Sequence, residues 1–209
     1  MDQVYSKDDG KFLVKLARRT VEQFARESTK PNFPDDTPSH LKRESGVFVT
    51  LNSTSSSKNN LRGCIGRPYP TDPLVQATID SAFDAAANDP RFPPVKEEEL
   101  DSIIIEVSLL TPPEEIECSN PDELIKEIEV GCDGLIAAKG GRRGLLLPQV
   151  AVEWNWDAEE FLRHTCRKAM LPMEAWREPD TKFMKFQAEI FAEVSPRGNV
   201  VRKDNSPKE

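Results

Sequence analysis

Leu61-Arg62-Gly63-Cys64-Ile65-Gly66 lies between a serine- and asparagine-rich run and Arg67-Pro68-Tyr69-Pro70, whose two prolines forbid regular pairing. Upstream, Gly46-Val47-Phe48-Val49-Thr50-Leu51 has the β-branched content of a strand, with Val47, Val49 and Leu51 on one face. A polar tip from Asn52 to Asn60 lets the later segment fold back antiparallel on the earlier one. The hairpin places the thiol of Cys64 on a strand, where Leu61, Gly63 and Ile65 share one face and Arg62, Cys64 and Gly66 the other.

That alternation gives the stretch chemical interest. Gly63 and Gly66 allow a backbone or a ligand to approach closely. A guanidinium at Arg62 beside the sulfur favours thiolate over thiol. The opposing reading is that Cys64 is a small buried hydrophobe, as free cysteines commonly are. Spacing leaves both open.

N-terminal to the hairpin, Ser6 and Asp9 have the form of a capping box with Asp in the acidic position. Phe12, Leu13, Leu16, Ala17, Val21, Phe24 and Ala25 then recur at helical spacing, predicting a helix from about Asp8 to Glu27. Its charged face, Lys11, Lys15, Arg18, Arg19 and Glu22, reads as solvated. Prolines break the chain between Thr29 and Ser39, and His40 after them is either an ordinary polar contact or a group titrating near neutrality.

C-terminal to the hairpin, Asp72-Pro73 reads as an N-cap with proline in the first turn of a helix reaching about Asn88. The loop Asp89-Pro90-Arg91-Phe92-Pro93-Pro94-Val95 is stiffened by its prolines. It presents Asp89, Arg91 and Phe92 either to a ligand or as an internal ion pair that locks the loop. Ser102 to Thr111 reads as a strand in which Glu106 stands among apolar neighbours. Such a carboxylate is paired, protonated or at an opening, or else it faces water from an edge strand.

Further on, Asn120-Pro121 opens a short helix through Ile128, and Gly131-Cys132-Asp133-Gly134 reads as a turn. Leu135 to Ala138 and Gly144 to Leu147 form a hairpin around Gly140-Gly141, with the basic cluster Lys139, Arg142 and Arg143 at its tip. Asp157 with Glu160 caps a helix that carries His164, placed either as a base at the edge of the core or as a structural residue. Lys182 to Val194 alternates cleanly as a long strand, and residues 196–209 read as a polar tail.

Composition narrows the function. The 209 residues carry 36 acidic against 28 basic side chains, a net charge of −8, which argues against a broad nucleic-acid-binding face. Phe183, Lys185 and Phe191 are the only set resembling an RNA-stacking strand. The four cysteines, Cys64, Cys118, Cys132 and Cys166, form no C-x-x-C pair, so no metal site is indicated and the thiols are expected reduced. No cofactor is readable. Without a run of roughly 20 apolar residues or a secretory signal, the expected location is the cytoplasm, with no membrane span.

Several stretches together resemble the AMMECR1 family: Leu61-Arg62-Gly63-Cys64-Ile65-Gly66, Asp89-Pro90-Arg91-Phe92-Pro93-Pro94, Val107-Ser108-Leu109-Leu110-Thr111, Gly131-Cys132-Asp133-Gly134 and Leu147-Pro148-Gln149-Val150-Ala151. The resemblance covers nearly the whole chain, and the segment from Trp156 to Ala169 looks like that of archaeal and bacterial members. It implies an α+β fold with a mainly antiparallel sheet and flanking helices. It implies one domain over residues 1–195 with a larger and a smaller lobe, and a cleft between them. The resemblance implies no defined reaction, although it suggests a modification pathway with Memo-like and radical-SAM proteins, and it places the family's motif on Arg62 to Gly66.

Two functional classes follow. In one the chain is an enzyme with Cys64 as nucleophile, Arg62 stabilising negative charge, and His164 or Glu106 as acid or base. In the other it is a non-catalytic module in which Arg62, Gly63, Gly66, Arg91 and Phe92 form a groove for a protein or small molecule. Direct RNA binding is the weakest third class.

Overall fold

The capping box at Ser6 forms as its sequence predicts: the Ser6 hydroxyl accepts from the Asp9 N–H at 3.1 Å, and the Asp9 carboxylate accepts from the Ser6 N–H at 2.9 Å. It starts α1 (Lys7–Glu27) of a computed structural model that describes residues 5–55, 61–118 and 120–203. The hairpin β1 (Gly46–Ser53) and β2 (Leu61–Arg67), helix α2 (Leu74–Ala87) and strand β3 (Ile103–Leu110) follow. After them come β4 (Glu114–Glu115), α3 (Pro121–Lys126), β5 (Asp133–Lys139), β6 (Arg142–Leu146), α4 (Pro148–Glu153) and α5 (Ala158–Lys168). The last two elements are β7 (Lys182–Glu193) and β8 (Val200–Lys203). Every described strand pairing is antiparallel, as the α+β reading requires. Part of the polar tip at Asn52 to Asn60 lies outside the described residues.

The chain divides into two compact units, one of Met1–Leu110 with Glu189–Lys203, the other centred on Thr111–Ala188. In the first, β1 pairs with β2 on one side and β3 on the other. Val47, Val49 and Leu51 of β1 join Ile105, Val107 and Leu109 of β3 in a core completed by Leu13, Val14, Ala17 and Val21 of α1 and Leu74, Ala82 and Ala85 of α2. All of these side chains are essentially sealed from water, so their burial supplies hydrophobic driving force for folding this unit.

Three expectations are corrected here. Arg18, read as part of a solvated face, is buried: its Nε donates to Glu193 Oε1 at 3.0 Å and its Nη2 to the Ile103 carbonyl at 2.5 Å, while Glu193 Oε2 accepts from the Ile105 N–H at 3.0 Å. Helical periodicity assigns Arg18 to the charged face, but a carboxylate 175 residues away decides its environment. Asp72 does not cap α2, whose N-cap is Pro73; the Leu74 N–H instead donates to the Arg43 carbonyl at 2.8 Å. Within the polar stretch read as a tail, Val200–Lys203 forms β8 on the end of β7, and residues beyond 203 are outside the described set.

The second unit is built on the β5–β6 hairpin. Gly140 and Gly141 take φ of +55° and +81°, the left-handed conformation that a two-residue turn between Lys139 and Arg142 demands. β5 pairs with the first part of β7, and β4 pairs with the same strand at Glu114↔Lys185 and Glu115↔Met184. The Asp157–Glu160 capping box opens α5, which buries Phe161, Leu162, Thr165 and Cys166. Pro148 to Glu153 forms helix α4, with proline in its first turn. Phe183 and Phe191 are both buried, which removes the stacking strand that RNA binding needed. No helix among the described residues is long and apolar enough to cross a membrane.

The buried Arg18–Glu193 pair gives a direct stability test. Removing one partner, as in Arg18→Met, leaves a carboxylate without its cation and is expected to cost about 3–5 kcal/mol in chemical denaturation. The double change Arg18→Met with Glu193→Leu is expected to recover a large part of that loss. Equal destabilisation by single and double variants would show that the pair is not the cause.

Candidate functional site

β2 must carry glycine at 63 because α2 lies directly on it: a Cβ there would stand 2.3 Å from the Ala85 carbonyl oxygen. At 66 the obstacle is the Phe48 ring, also 2.3 Å away. The close approach inferred from these glycines is therefore made by the protein's own helix and ring. With Gly63 turned toward α2, the alternation of the strand sends Cys64 to the opposite face.

Register then builds the site. Thr50 of β1 pairs with Cys64 on one side and with Glu106 of β3 on the other, so thiol, hydroxyl and carboxylate form one row across three strands. The Thr50 hydroxyl donates to Cys64 Sγ at 3.3 Å. Glu106 is buried and held by Lys203 Nζ at 2.5 Å, the paired arrangement among its sequence readings.

The backbone of Cys64 is held as firmly as its side chain. Its N–H donates to Asp89 Oδ2 at 2.8 Å, and its carbonyl accepts from Arg91 Nη2 at 3.1 Å. Arg91 also donates from Nε to Asp89 Oδ1 at 2.9 Å and from Nη2 to Oδ2 at 2.7 Å. The loop after α2 is thus locked by an internal ion pair, one of the two roles weighed for it. The bonds from Arg91, opposed by burial and helped by the N–H of Cys64, pull the Asp89 carboxyl down to about 2.

The thiol moves the other way. Burial pushes Cys64 up from its ordinary value, and the Thr50 bond and the charge of Arg91 offset this only in part. The expectation that Arg62 favours a thiolate is corrected: Arg62 spends Nε and Nη2 on Glu99 at 2.7 and 2.9 Å, and the cation acting on the sulfur is Arg91. Phe92 lies within cation–π range of both guanidinium groups, 5.9 Å from Arg62 and 5.5 Å from Arg91. Arg62 Nη1 is buried and has no hydrogen-bond partner among the described residues.

Of the residues singled out from sequence, Cys64, Glu106, Arg62, Gly63, Gly66, Arg91 and Phe92 all belong to the first unit. His164 belongs to the second, where its ring stacks on Trp156 at a centroid distance of 3.8 Å and burial pushes its basicity down. Thr50, Glu99 and Lys203 were missed. Thr50 sits in the outward phase of β1, so the hairpin register could have found it. Glu99 was hidden in the acidic run Glu97-Glu98-Glu99, and Lys203 in the presumed tail.

A family model described as AMMECR1 matches residues 14–191. An uncharacterised protein of Thermococcus gammatolerans is 56% identical over 195 residues, covering 93% of this chain and 95% of that one. Protein PF1979 of Pyrococcus furiosus is 56% identical over 200 residues, 95% of each chain. The crystal structure of uncharacterised protein PH0010 from Pyrococcus horikoshii superposes with a TM-score of 0.90 at 55% identity, covering 93% of this chain and 96% of that one.

The Asp89 lock is expected to show in the pH dependence of stability. A carboxyl held at about 2 rather than near 4 stabilises the fold by about 2 kcal/mol once the pH exceeds the ordinary carboxylate value, and loses that contribution as the pH falls from about 4 to about 2. Asp89→Asn should therefore be about 2 kcal/mol less stable than wild type near neutrality, with the difference closing across that acidic window in urea titrations. A pH-independent difference would place the effect elsewhere.

Proposed function

The chain belongs to the AMMECR1 family, and on that premise we propose that it is a non-catalytic binding module whose receiving surface is the Cys64 face of β2 with the Asp89-to-Val95 loop. The observation that carries this reading is Arg62. Two of its nitrogens fix the side chain on Glu99, while Nη1 stays buried beside the Phe92 ring without an acceptor. A buried donor left unmade costs about 1–3 kcal/mol, and a carbonyl or carboxylate of a ligand that displaces the side chains covering this nitrogen would recover it. Arg91 and Phe92, held by the Asp89 lock, form a pre-organised rim, which lowers the ordering cost of binding.

In this reading Cys64 is a positioning residue. Its thiol is kept neutral, its backbone is fastened at both polar atoms, and its side-chain partner is a hydroxyl that donates toward the sulfur. Memo-like and radical-SAM proteins are the partner classes that the family resemblance implies for such a module. A cytosolic location goes with this reading, since the four cysteines are free thiols.

A second reading, Cys64 as nucleophile with Glu106 as acid or base, draws on the row that holds both. The row also limits it. Cys64 and Glu106 are two strand spacings apart, roughly 10 Å between backbones, with Thr50 between them and its hydroxyl rather than the carboxylate bonded to the sulfur.

Native-state alkylation separates the two. For a positioning cysteine, the rate of Cys64 modification by iodoacetamide should rise with pH through a midpoint above that of a free cysteine, and at neutral pH should lie below the rate of an unstructured peptide thiol. A plateau already reached near neutral pH, abolished by Glu106→Gln, would replace the binding module with a thiol enzyme.

A further inference from the structure

We propose that the second unit carries a narrow docking surface for single-stranded nucleic acid, formed by the end of α4 together with α5 and independent of the Cys64 face. Its first component is a stack of rings. α4 closes in a Schellman motif: the Trp156 N–H donates to the Ala151 carbonyl at 2.9 Å and the Asn155 N–H to the Val152 carbonyl at 3.2 Å, with Asn155 left-handed at φ +54°. That closure fixes the backbone around Asn155, and the rings of Trp154 and Trp156 stack with centroids 6.1 Å apart and planes inclined by 18°. Trp156 lies flat in turn on His164 of α5, at 3.8 Å and 2°. The three rings make one ladder, and its end member, Trp154, is 68% exposed. An indole left in water on an already ordered backbone is a platform that a further flat ring can extend at low ordering cost.

The second component is charge. α5 carries Asp157 and Glu160 at its start, both engaged in the capping box, and Arg167 and Lys168 in its last turn. Arg142 of β6 reaches the same end of the helix, donating from Nη1 to the Met170 carbonyl at 3.1 Å. Arg142, Arg167 and Lys168 are exposed and make no ion pair among the described residues. Glu178 and Asp180 are held by Lys139. Burial and, after it, the charge of Arg167 hold down the basicity of His164, which sets that cation beside the ladder.

Stacking faces next to free cations are what a single strand uses: its bases stack on aromatic side chains whatever their sequence, and its phosphates take the positive charge. An acidic peptide would meet the cations and leave the ladder idle, and an uncharged ring would do the reverse. Cations in the last turn are also favoured by the helix dipole, so the exposed ladder is the feature that points to a ligand. The patch is local, in keeping with a net charge of −8 that opposes a broad face, and it uses none of the buried aromatics of β7.

The probe is a fluorescein-labelled RNA of about eight uridines, titrated into the full-length protein at low salt and followed by anisotropy and by quenching of tryptophan emission. Saturable binding with quenching is expected. Trp154→Ala, at an exposed position, should weaken it about tenfold or more, the loss of one stacked base. Arg167→Gln and Lys168→Gln should each lower the slope of log affinity against log salt by about 0.7. An abasic strand of the same length and a duplex offer phosphates without open base faces, and both should bind at least about tenfold more weakly, while polyglutamate should not compete. The proposal is overturned if no saturable binding occurs at low salt, if Trp154→Ala binds as wild type does, or if the abasic strand, the duplex or polyglutamate binds as tightly as the uridine strand.

Discussion

The first unit is organised by a contact that leaves no room for a side chain: the carbonyl of Ala85 on α2 against the backbone of Gly63 on β2. A helix normally rides on a sheet at the distance its side chains set, about 10 Å, and glycine lets this one come nearer. The consequence is positional. The end of α2 arrives beside the neighbouring residue of the same strand, so that Asp89, just past the helix, reaches the N–H of Cys64. The loop closes back on the helix through the Val95 N–H and the Ala86 carbonyl at 2.8 Å. Prolines at 90, 93 and 94 restrict the unfolded chain between those two anchors, so less entropy is lost when the loop is fixed.

From that placement the electrostatics follow. A carboxylate at Asp89 is close enough to hold Arg91, and together they occupy both polar atoms of the Cys64 backbone. The same carboxylate, with Glu106, adds negative charge near the sulfur and opposes its ionisation, reinforcing burial. A cation beside a cysteine therefore does not by itself activate it. What matters is whether the cation is already neutralised, and here Arg91 is held by Asp89 as Arg62 is held by Glu99.

The sequence made the local events legible and left the long-range ones hidden. Capping boxes at Ser6 and Asp157, the Gly140-Gly141 turn and the alternation of β7 each depend on residues a few positions apart, and each could be placed from spacing. Cys64, Arg91 and Phe92 could be gathered because family resemblance and hairpin logic point to the same strand and loop. The partners that decide their chemistry could not. Glu99 is 37 residues from Arg62, Lys203 is 97 from Glu106, and Glu193 is 175 from Arg18, and no local pattern encodes such pairs. Asp72 failed as a cap for a related reason: the carbonyl of Arg43, from a segment folded against the helix start, took the donor first.

Motif density and ligand demand turn out to be different properties. The Gly63-Cys64-Ile65-Gly66 stretch is constrained because a helix, a ring and a locked loop all meet it, and both backbone polar atoms of Cys64 have partners inside the protein, while Nη1 of the adjoining Arg62 has none among the described residues. A packing constraint restricts which residues a position tolerates, whereas an unsatisfied donor restricts which molecules a cavity accepts. The first kind of constraint is what a sequence displays most readily. The second appears only once the coordinates show which buried atoms lack a partner, as Arg62 Nη1 does here.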